Sequence, residues 1–305
     1  MTKLVRLVPL LLLTLAAPAW AGSDDSSKAV VTSTAAAQTV ETPLDIFKME
    51  SGYVFESDLN HGGSFGKQDE ILNQFEYGHR FQISGKYYLH VGVAYDRFDF
   101  GSTNAPVPNH LQSLAGVVGI DVMHGSDVGA FLDIRPGFYT QNDFGISSFD
   151  VPITLGRIFV VEQDKLYLFA GVNTAFLRGG YPVLPLGGVI WIPSDTIRLM
   201  GVLPEPRLIY SPTKKLDLYV GGEFLGGSYR TDTNDGITPH KLSGTQVDFY
   251  DYHAGVGLTY TLNNACSVDF DAGYSIQRHF AFHRAGENYR TDPSPYLRVA
   301  LKAQF

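Results

Sequence analysis

Residues 296–305 read YLRVALKAQF, and apolar and polar side chains alternate along them. The odd positions are all apolar, and arginine and lysine stand at even positions. Successive side chains of a β-strand point to opposite faces of its sheet, so this alternation predicts a strand with two different faces. One face would lie in lipid and the other in water.

The same period of two recurs along most of the chain. In residues 266–282 the even positions are mostly apolar, and the odd positions carry Ser, Asp, Gly, Gln and His. Alternating runs also occur at 75–83, 87–95, 128–138, 166–176 and 250–262. Predicted strands of about ten residues exceed the usual ~5–6 of soluble sheets and match the length of a tilted membrane strand. Composition agrees, since 13% of residues are aromatic and 32 are Gly.

The predicted connections alternate in length. Short turns are predicted at 84–86, 124–127, 162–165, 213–214 and 263–264. Longer loops are predicted at about 57–70, 101–109, 140–148, 177–186, 231–246 and 283–294. Short periplasmic turns and long extracellular loops are typical of outer-membrane barrels. With both ends of the barrel on the periplasmic side, the number of strands must be even.

The strand count depends on residues 181–212, which contain six prolines. If Gly187 to Ile192 and Thr196 to Leu203 form a short hairpin, the barrel has fourteen strands. If this segment is a folded-in loop, the barrel has twelve. Proline cannot donate to a β-ladder, so the sequence favours twelve. The predicted fold is therefore all-β, a transmembrane antiparallel up-and-down β-barrel of about twelve strands, with fourteen as the alternative.

The first residues predict export. Lys3 and Arg6 precede the apolar run 7–16, and Ala19-Trp20-Ala21 forms a small-x-small cleavage site, so we interpret 1–21 as a signal peptide. Residues 22–43 are small and polar and predict a flexible periplasmic lead-in. A plug or a partner-binding arm is the alternative reading of that segment. Residues 44–305 are uniform in pattern and predict one barrel domain.

Charge and cysteine content argue against a nucleic-acid partner and against an intramolecular disulfide. The net charge of −8 becomes −10 when Lys3 and Arg6 leave with the signal peptide, since no acidic residue leaves with them. This acidity argues against nucleic acid as a partner. A single cysteine, Cys266, cannot form an intramolecular disulfide.

Two resemblances accompany these patterns. The terminal strand, with Leu297, Val299, Leu301 and Phe305 on one face, resembles the closing strand of bacterial outer-membrane barrels. That resemblance implies the cell outer membrane as location, its lipid as surroundings and the barrel assembly machinery as a partner during biogenesis. Ala303 departs from the usual form, in which a bulkier residue is common. LPLGGVIW at 184–191, LPEPR at 203–207 and LYVGG at 218–222 resemble an uncharacterised family of outer-membrane barrels without assigned activity.

Charged residues of both signs are predicted to line the lumen. The predicted inward positions are Glu76, Arg80, His90, Asp96, Asp121, Asp133, Arg135, Asp217, Glu223, Asp251, His253, Asp269, Asp271, His279, Arg298 and Lys302. Such charges can line an aqueous path, or they can pair across the lumen and close it. If the lumen conducts, its acidic excess predicts a mild cation preference.

Aromatic residues near strand ends predict two interfacial girdles. Phe98, Phe138, Phe176, Phe280 and Phe282 are assigned to the loop side, and Phe81, Tyr260 and Phe305 to the turn side.

Catalytic and metal chemistry find little support. Asp251 with His253, His279 with His283, and Asp96 are rim candidates for an enzyme, but no G-x-S-x-G signature accompanies them. Asp248, Asp251 and His253 lie close together near a strand end, and Asp251 and His253 would face the same side, but spacing fixes no third metal ligand beside these two. The Asp232–Gly236 loop lacks the other EF-hand positions. We therefore predict no catalytic residue, no metal and no cofactor.

Two hypotheses of function remain. The first is a narrow channel for small polar solutes. The alternative is a closed barrel with a structural or surface-interaction role, and an outer-membrane enzyme is a distant third. The sequence does not fix the oligomeric state.

Overall fold

The computed structural model describes residues 44–124, 127–233 and 239–305. The predicted signal peptide and lead-in lie outside these ranges, as do the centre of the predicted turn at 124–127 and Asn234, Asp235 and Gly236. Among the residues within them, no helix combines the length and the apolar character needed to cross a membrane.

The described residues form fourteen membrane strands, three of which are interrupted by a short break. They are β1 (Asp45–Asn60), β2 (Ser64–Ser84), β3 (Tyr87–Phe100), β4 (His110–His124), β5 (Asp127–Ile134 and Gly137–Thr140), β6 (Phe149–Asp150 and Ile153–Glu162), β7 (Leu166–Thr174), β8 (Val183–Ser194), β9 (Ile197–Val202), β10 (Arg207–Thr213), β11 (Leu216–Arg230), β12 (Gln246–Thr261), β13 (Cys266–Phe282) and β14 (Glu287–Thr291 and Ser294–Gln304).

The sheet closes on itself. Each strand lies antiparallel to the next in chain order, and β14 returns to β1 with a register that runs from Ile46↔Gln304 to Val54↔Tyr296. The prediction of an all-β, antiparallel, transmembrane barrel is confirmed. Closure removes sheet edges, which a bilayer does not tolerate because lipid cannot hydrogen-bond to free backbone groups.

The described residues form fourteen strands, so the number of twelve that the prolines favoured is wrong and the alternative of fourteen is confirmed. β8 and β9 make the extra hairpin, pairing from Gly188↔Val202 to Ser194↔Ile197. Most of the prolines lie outside or at the ends of these strands, where a missing donor costs little. Pro185 lies within β8 opposite Val172, close to the start of the strand.

Two predicted loops are instead strand extensions. β1 and β2 continue to Asn60 and from Ser64, joined through Gly62 with φ +65°. β13 and β14 likewise approach each other at Phe282 and Glu287, within the predicted loop 283–294. The polar residues of these segments indicated loops, but strands beyond the membrane have no need for an apolar face.

The extracellular half of the barrel has an additional contact between two strands that are distant in the order. Arg230 at the end of β11 pairs in parallel with Thr140 at the end of β5, and the Gln141 amide donates to the Arg230 carbonyl at 2.9 Å. Strands β9 and β10, which connect β8 to β11, are short and end below this contact. At the level of the contact, β8 and β11 are therefore not joined by paired strands. Strands β11 to β14 and β1 to β5 therefore form a smaller ring at this end.

The β7–β8 loop lies behind this smaller ring. The amides of Phe176 and Leu177 donate to Asp150 of β6. Further along the loop, the amides of Gly179 and Gly180 donate to Asp248 of β12. The loop thus connects the strands outside the smaller ring back to its wall.

Candidate functional site in the barrel lumen

A cluster of aromatic side chains fills the extracellular half of the lumen. We call it the aromatic plug, and it consists of Phe98, Phe100, Tyr229, Phe249, Phe280, Phe282 and Tyr289. The ring centroids of Phe249 lie 4.9 Å from Phe98 and 5.0 Å from Phe100, in edge-to-face arrangements. Edge-to-face contacts add to the gain from burial, so the plug is a packed core inside the barrel.

The sequence pattern predicts that three members of the plug belong to the loop-side girdle, and this prediction is wrong. Phe98, Phe280 and Phe282 are buried in the lumen. On the turn side, Phe81, Tyr260 and Phe305 are exposed as expected.

A β-bulge explains the error in β13. Tyr252 pairs with Gln277, whereas its neighbour His253 pairs with Ser275, so one residue is skipped. A slip of one residue moves every later side chain to the other face. His279, predicted to line the lumen, therefore lies on the face opposite Phe280. Arg278 takes the inward position and is fully buried.

The other predicted lumen residues lie on the inward face. They are Glu76, Arg80, His90, Asp96, Asp121, Asp133, Arg135, Asp217, Glu223, Asp251, His253, Asp269, Asp271, Arg298 and Lys302. The outward face of β14 carries Leu297, Val299 and Leu301, all exposed.

A charged layer centred on Arg298 occupies one sector of the lumen below the plug. The Arg298 guanidinium lies 3.0 Å from Glu50 of β1 and 2.5 Å from Asp271 of β13, and it also pairs with Glu223 of β11. Three carboxylates from three strands thus surround one buried cation. Charges at this depth are tolerated only when they are paired.

Further ion pairs extend the charged layer across the lumen. Lys48 of β1 lies 3.1 Å from Glu50 and 3.7 Å from Glu205, which precedes β10. The remaining pairs are Arg207–Glu205 at 2.7 Å, Arg207–Asp269 at 3.7 Å and Lys302–Asp269 at 3.0 Å. Of the two roles that the sequence allowed for these charges, pairing across the lumen is the one observed in this sector.

A second group of charges, the polar sector, lines β2 to β5. Its pairs are Arg80–Asp121 at 2.7 Å, His90–Asp121 at 3.2 Å, Arg135–Asp133 at 2.8 Å and Arg135–Glu76 at 3.0 Å. The side chains of Arg135 and Glu76 remain 25% and 16% exposed, although they point into the barrel. Solvent therefore reaches this part of the lumen.

A buried apolar cluster occupies part of the inner wall of β5 to β9, whereas the sequence pattern predicts charged residues along the lumen. This apolar sector consists of Phe131, Ile158, Tyr167, Phe169, Leu186, Ile190, Ile192 and Val202. Residues 189–192 of β8 read VIWI, an unbroken apolar run rather than an alternation. Such a run is the signal of a strand that is apolar on both faces.

The catalytic candidates do not form a relay. The Ser275 hydroxyl donates to Asp251 at 2.5 Å, and Asp251 also lies 2.7 Å from the His253 ring. The carboxylate stands between serine and histidine, so the histidine cannot take the serine proton as nucleophilic catalysis requires. His283 lies beside Asp248 and His279 beside Asn288, away from this group.

Within the described ranges, no group of three or more His, Cys, Asp and Glu residues is placed to hold a metal ion. Asp248, one of the candidate ligands, instead accepts from the Gly179 and Gly180 amides.

No family model matches the sequence, and no curated protein matches it. Several solved structures are similar to the barrel. An outer membrane channel from Pseudomonas putida F1 is 9% identical, with 90% of this chain and 100% of that chain covered and a TM-score of 0.44. The Pseudomonas putida toluene transporter TodX is 12% identical, with 93% and 98% covered and a TM-score of 0.37. The translocator domain of the autotransporter NalP from Neisseria meningitidis is 11% identical, with 92% of each chain covered and a TM-score of 0.38.

These similarities concern barrel architecture alone, and the pairing of the chain's own strands forms a closed antiparallel β-barrel. The outer membrane as its location stays a prediction. The resemblance of its proline-rich segment to an uncharacterised barrel family stays a prediction.

Proposed function

We propose that the protein is a gated outer-membrane channel for small polar solutes, described here in its closed state. The polar sector carries this proposal, because Arg135 and Glu76 are paired with each other yet their side chains remain 25% and 16% exposed inside the barrel. A barrel filled only for rigidity would bury these groups. Fourteen strands lie between the ~8 that side chains fill and the ~16 of porins with an aqueous channel.

The aromatic plug is the gate in this proposal. It closes the extracellular end, while the polar sector lies beyond it. Loop residues hold it in place, since Val107 and Ala105 of the β3–β4 loop and Leu242 of the β11–β12 loop pack against it. A change in these loops would release the plug without disturbing the charged layer.

Single-channel recording in planar bilayers tests the gate. We expect the wild type to conduct rarely and the double variant Phe249→Ala with Phe280→Ala, the plug variant, to conduct steadily, because both rings are fully buried in the plug. Phe270→Ala is the matched control, since Phe270 lies on the same strand as Phe280 but is 51% exposed on the lipid face. The control should behave as the wild type does.

A closed barrel is the second candidate, and the charged layer favours it. Buried ion pairs between β1, β10, β13 and β14 hold the wall together across the lumen. Absence of current from both the wild type and the plug variant would reject the channel and leave this candidate.

A further inference from the structure

A buried acid and a buried base lie beside the aromatic plug without a hydrogen bond between them. Glu70 of β2 lies opposite Phe100 of the plug, and Arg278 of β13 stands two residues before Phe280. Both charged side chains are fully buried. The Arg278 Nη1 atom lies 3.8 Å from the Glu70 Oε2 atom, which is close enough for an ion pair but too far for a hydrogen bond.

The Arg278 guanidinium uses one nitrogen for its hydrogen bonds. Nη2 donates to the Ser57 hydroxyl at 3.1 Å and to the Gln68 carbonyl at 2.5 Å. Among the described residues, no acceptor is within hydrogen-bond reach of Nε or Nη1. Both acceptors of Nη2 are neutral, whereas a guanidinium binds carboxylates more strongly. Arg278 therefore retains two donors for an anionic group.

Acceptors without donors lie beside these nitrogens. In the part of the chain that the structure describes, nothing donates to either carboxylate oxygen of Glu70 or to the side-chain oxygen of Gln68. Gln68 and Glu70 are both buried and are two residues apart on β2. A buried polar group without a hydrogen bond costs free energy, so a ligand that supplies the missing partners would bind favourably.

A neighbouring carboxylate, Asp251, already has partners. It lies opposite Arg278 on β12, accepts from the Ser275 hydroxyl at 2.5 Å and is 2.7 Å from the His253 ring. A ligand therefore meets the carboxylate of Glu70 and the guanidinium of Arg278. Glu70 repels a simple anion and Arg278 repels a simple cation. A ligand that carries both charges avoids either repulsion.

We infer that Gln68, Glu70 and Arg278 form a binding site for zwitterionic α-amino acids, which deepens the proposed function by naming the class of polar solute. The three N–H donors of an ammonium group match the three oxygens of Glu70 and Gln68. The two oxygens of a carboxylate match Nε and Nη1 of Arg278. The inference rests on the proposed function in one respect, because the solute reaches the site only after the plug rings have moved.

Isothermal titration calorimetry of the purified plug variant tests the site, because this variant lacks two of the plug rings. The probes are L-alanine, propionate, which lacks the ammonium group, and ethylamine, which lacks the carboxylate. We expect L-alanine to bind at least about tenfold more tightly than either singly charged probe, since it gains charge-assisted hydrogen bonds at both ends. Equal affinities for the three probes would overturn the inference.

Glu70→Gln in the plug variant changes the charge of the site and keeps its size. We expect the affinity for L-alanine to fall at least about tenfold and the affinity for propionate to rise, because Arg278 then faces no carboxylate of Glu70. A pair that only stabilises the barrel would not exchange one ligand for another. A substitution that weakens both probes alike, or neither, would contradict the site.

Asp217→Asn is the matched control. Asp217 is also an inward carboxylate beside an arginine, 2.6 Å from Arg198, but it lies at the periplasmic end of β11. Its substitution in the plug variant should leave the affinity for L-alanine unchanged. A loss equal to that of Glu70→Gln would assign the binding to the lumen as a whole and overturn the site.

A second substitution serves if Glu70→Gln prevents folding. Gln68→Leu removes one acceptor for the ammonium group and leaves both charges in place. The affinity for L-alanine should fall about tenfold, the effect of one hydrogen bond to a charged group, and the affinity for propionate should not change. An unaltered affinity for L-alanine would overturn the site.

Calorimetry needs no ionic current, so the inference and the proposed function can fail separately. A plug variant that prefers L-alanine without conducting would reject the channel alone. A plug variant that conducts without preferring L-alanine would reject the amino-acid site and retain the channel.

Discussion

Arg298 of the last strand lies 3.0 Å from Glu50 of the first strand, inside the lumen at the point where the barrel closes (Nη1 to Oε1). The same guanidinium contacts Asp271 and Glu223. One side chain therefore pairs with three buried carboxylates, one of which, Glu50, also pairs with Lys48. The last strand thus stabilises the closure of the barrel through ion pairs as well as through its backbone hydrogen bonds.

Removal of this cation should destabilise the barrel. We expect Arg298→Ala to lower the free energy of unfolding by about 3–5 kcal/mol, because truncating one partner leaves buried charge uncompensated. Urea titration in lipid vesicles, followed by tryptophan fluorescence, measures the change. Lys165→Ala breaks an exposed pair with Glu162 and should leave the unfolding midpoint where it is. Equal midpoints for both variants would contradict the role of the charged layer.

The extra hairpin can be tested with two adjacent glycines. A Cβ at Gly188 would lie 2.4 Å from the Gly201 carbonyl oxygen across the β8–β9 ladder, whereas one at Gly187 would meet only the Phe169 oxygen at 3.8 Å. Gly188→Val should cost about 1–3 kcal/mol through overpacking. Gly187→Val should be tolerated. If this segment were a loop rather than a hairpin, the two variants would unfold alike.

The lipid face can be tested with a charge. Val256 is 61% exposed on β12. Val256→Lys should lower the free energy of unfolding by about 2–4 kcal/mol if this position lies near the bilayer centre. Ile146→Lys is the control, since Ile146 is 94% exposed in the β5–β6 loop, and it should have little effect. A harmless Val256→Lys would place β12 outside the membrane.

The ion selectivity of the plug variant should depend on the charges of the polar sector. In the plug variant we expect cations to pass more readily than anions, because inward carboxylates outnumber the arginines here. The carboxylates are Glu76, Asp96, Asp121 and Asp133, the arginines are Arg80 and Arg135, and His90 lies between Asp121 and Asp133. Adding Glu76→Gln should reduce this preference by removing one negative charge from the path. Reversal potentials in a KCl gradient measure the ratio, and an anion-selective plug variant would refute this electrostatic account.

The sequence predicts strands whose alternation is unbroken, and β14 is the clearest case. Arg298 and Leu297 take opposite faces there because no bulge interrupts the register. β13 is equally regular in sequence, yet its bulge between Ser275 and Gln277 places Arg278 and Phe280 in the lumen. Bulges depend on the pairing with a neighbouring strand, which alternation within one strand does not encode.

The apolar sector and the strand count could be predicted only in part. Residues 189–192 carry the pattern of a strand with two apolar faces, but the neighbouring prolines argue against a strand in this segment. The pairings that close the charged layer, such as Lys48 with Glu205, join residues far apart in the chain. Their proximity follows from barrel closure, and no local pattern specifies it.

The contact between Arg230 and Thr140 makes β11 a partition. On one side of β11 stands the plug, and on the other lies the β7–β8 loop, which is bonded both to Asp150 of β6 and to Asp248 of β12. A displacement of β11 would therefore strain the plug and this loop together.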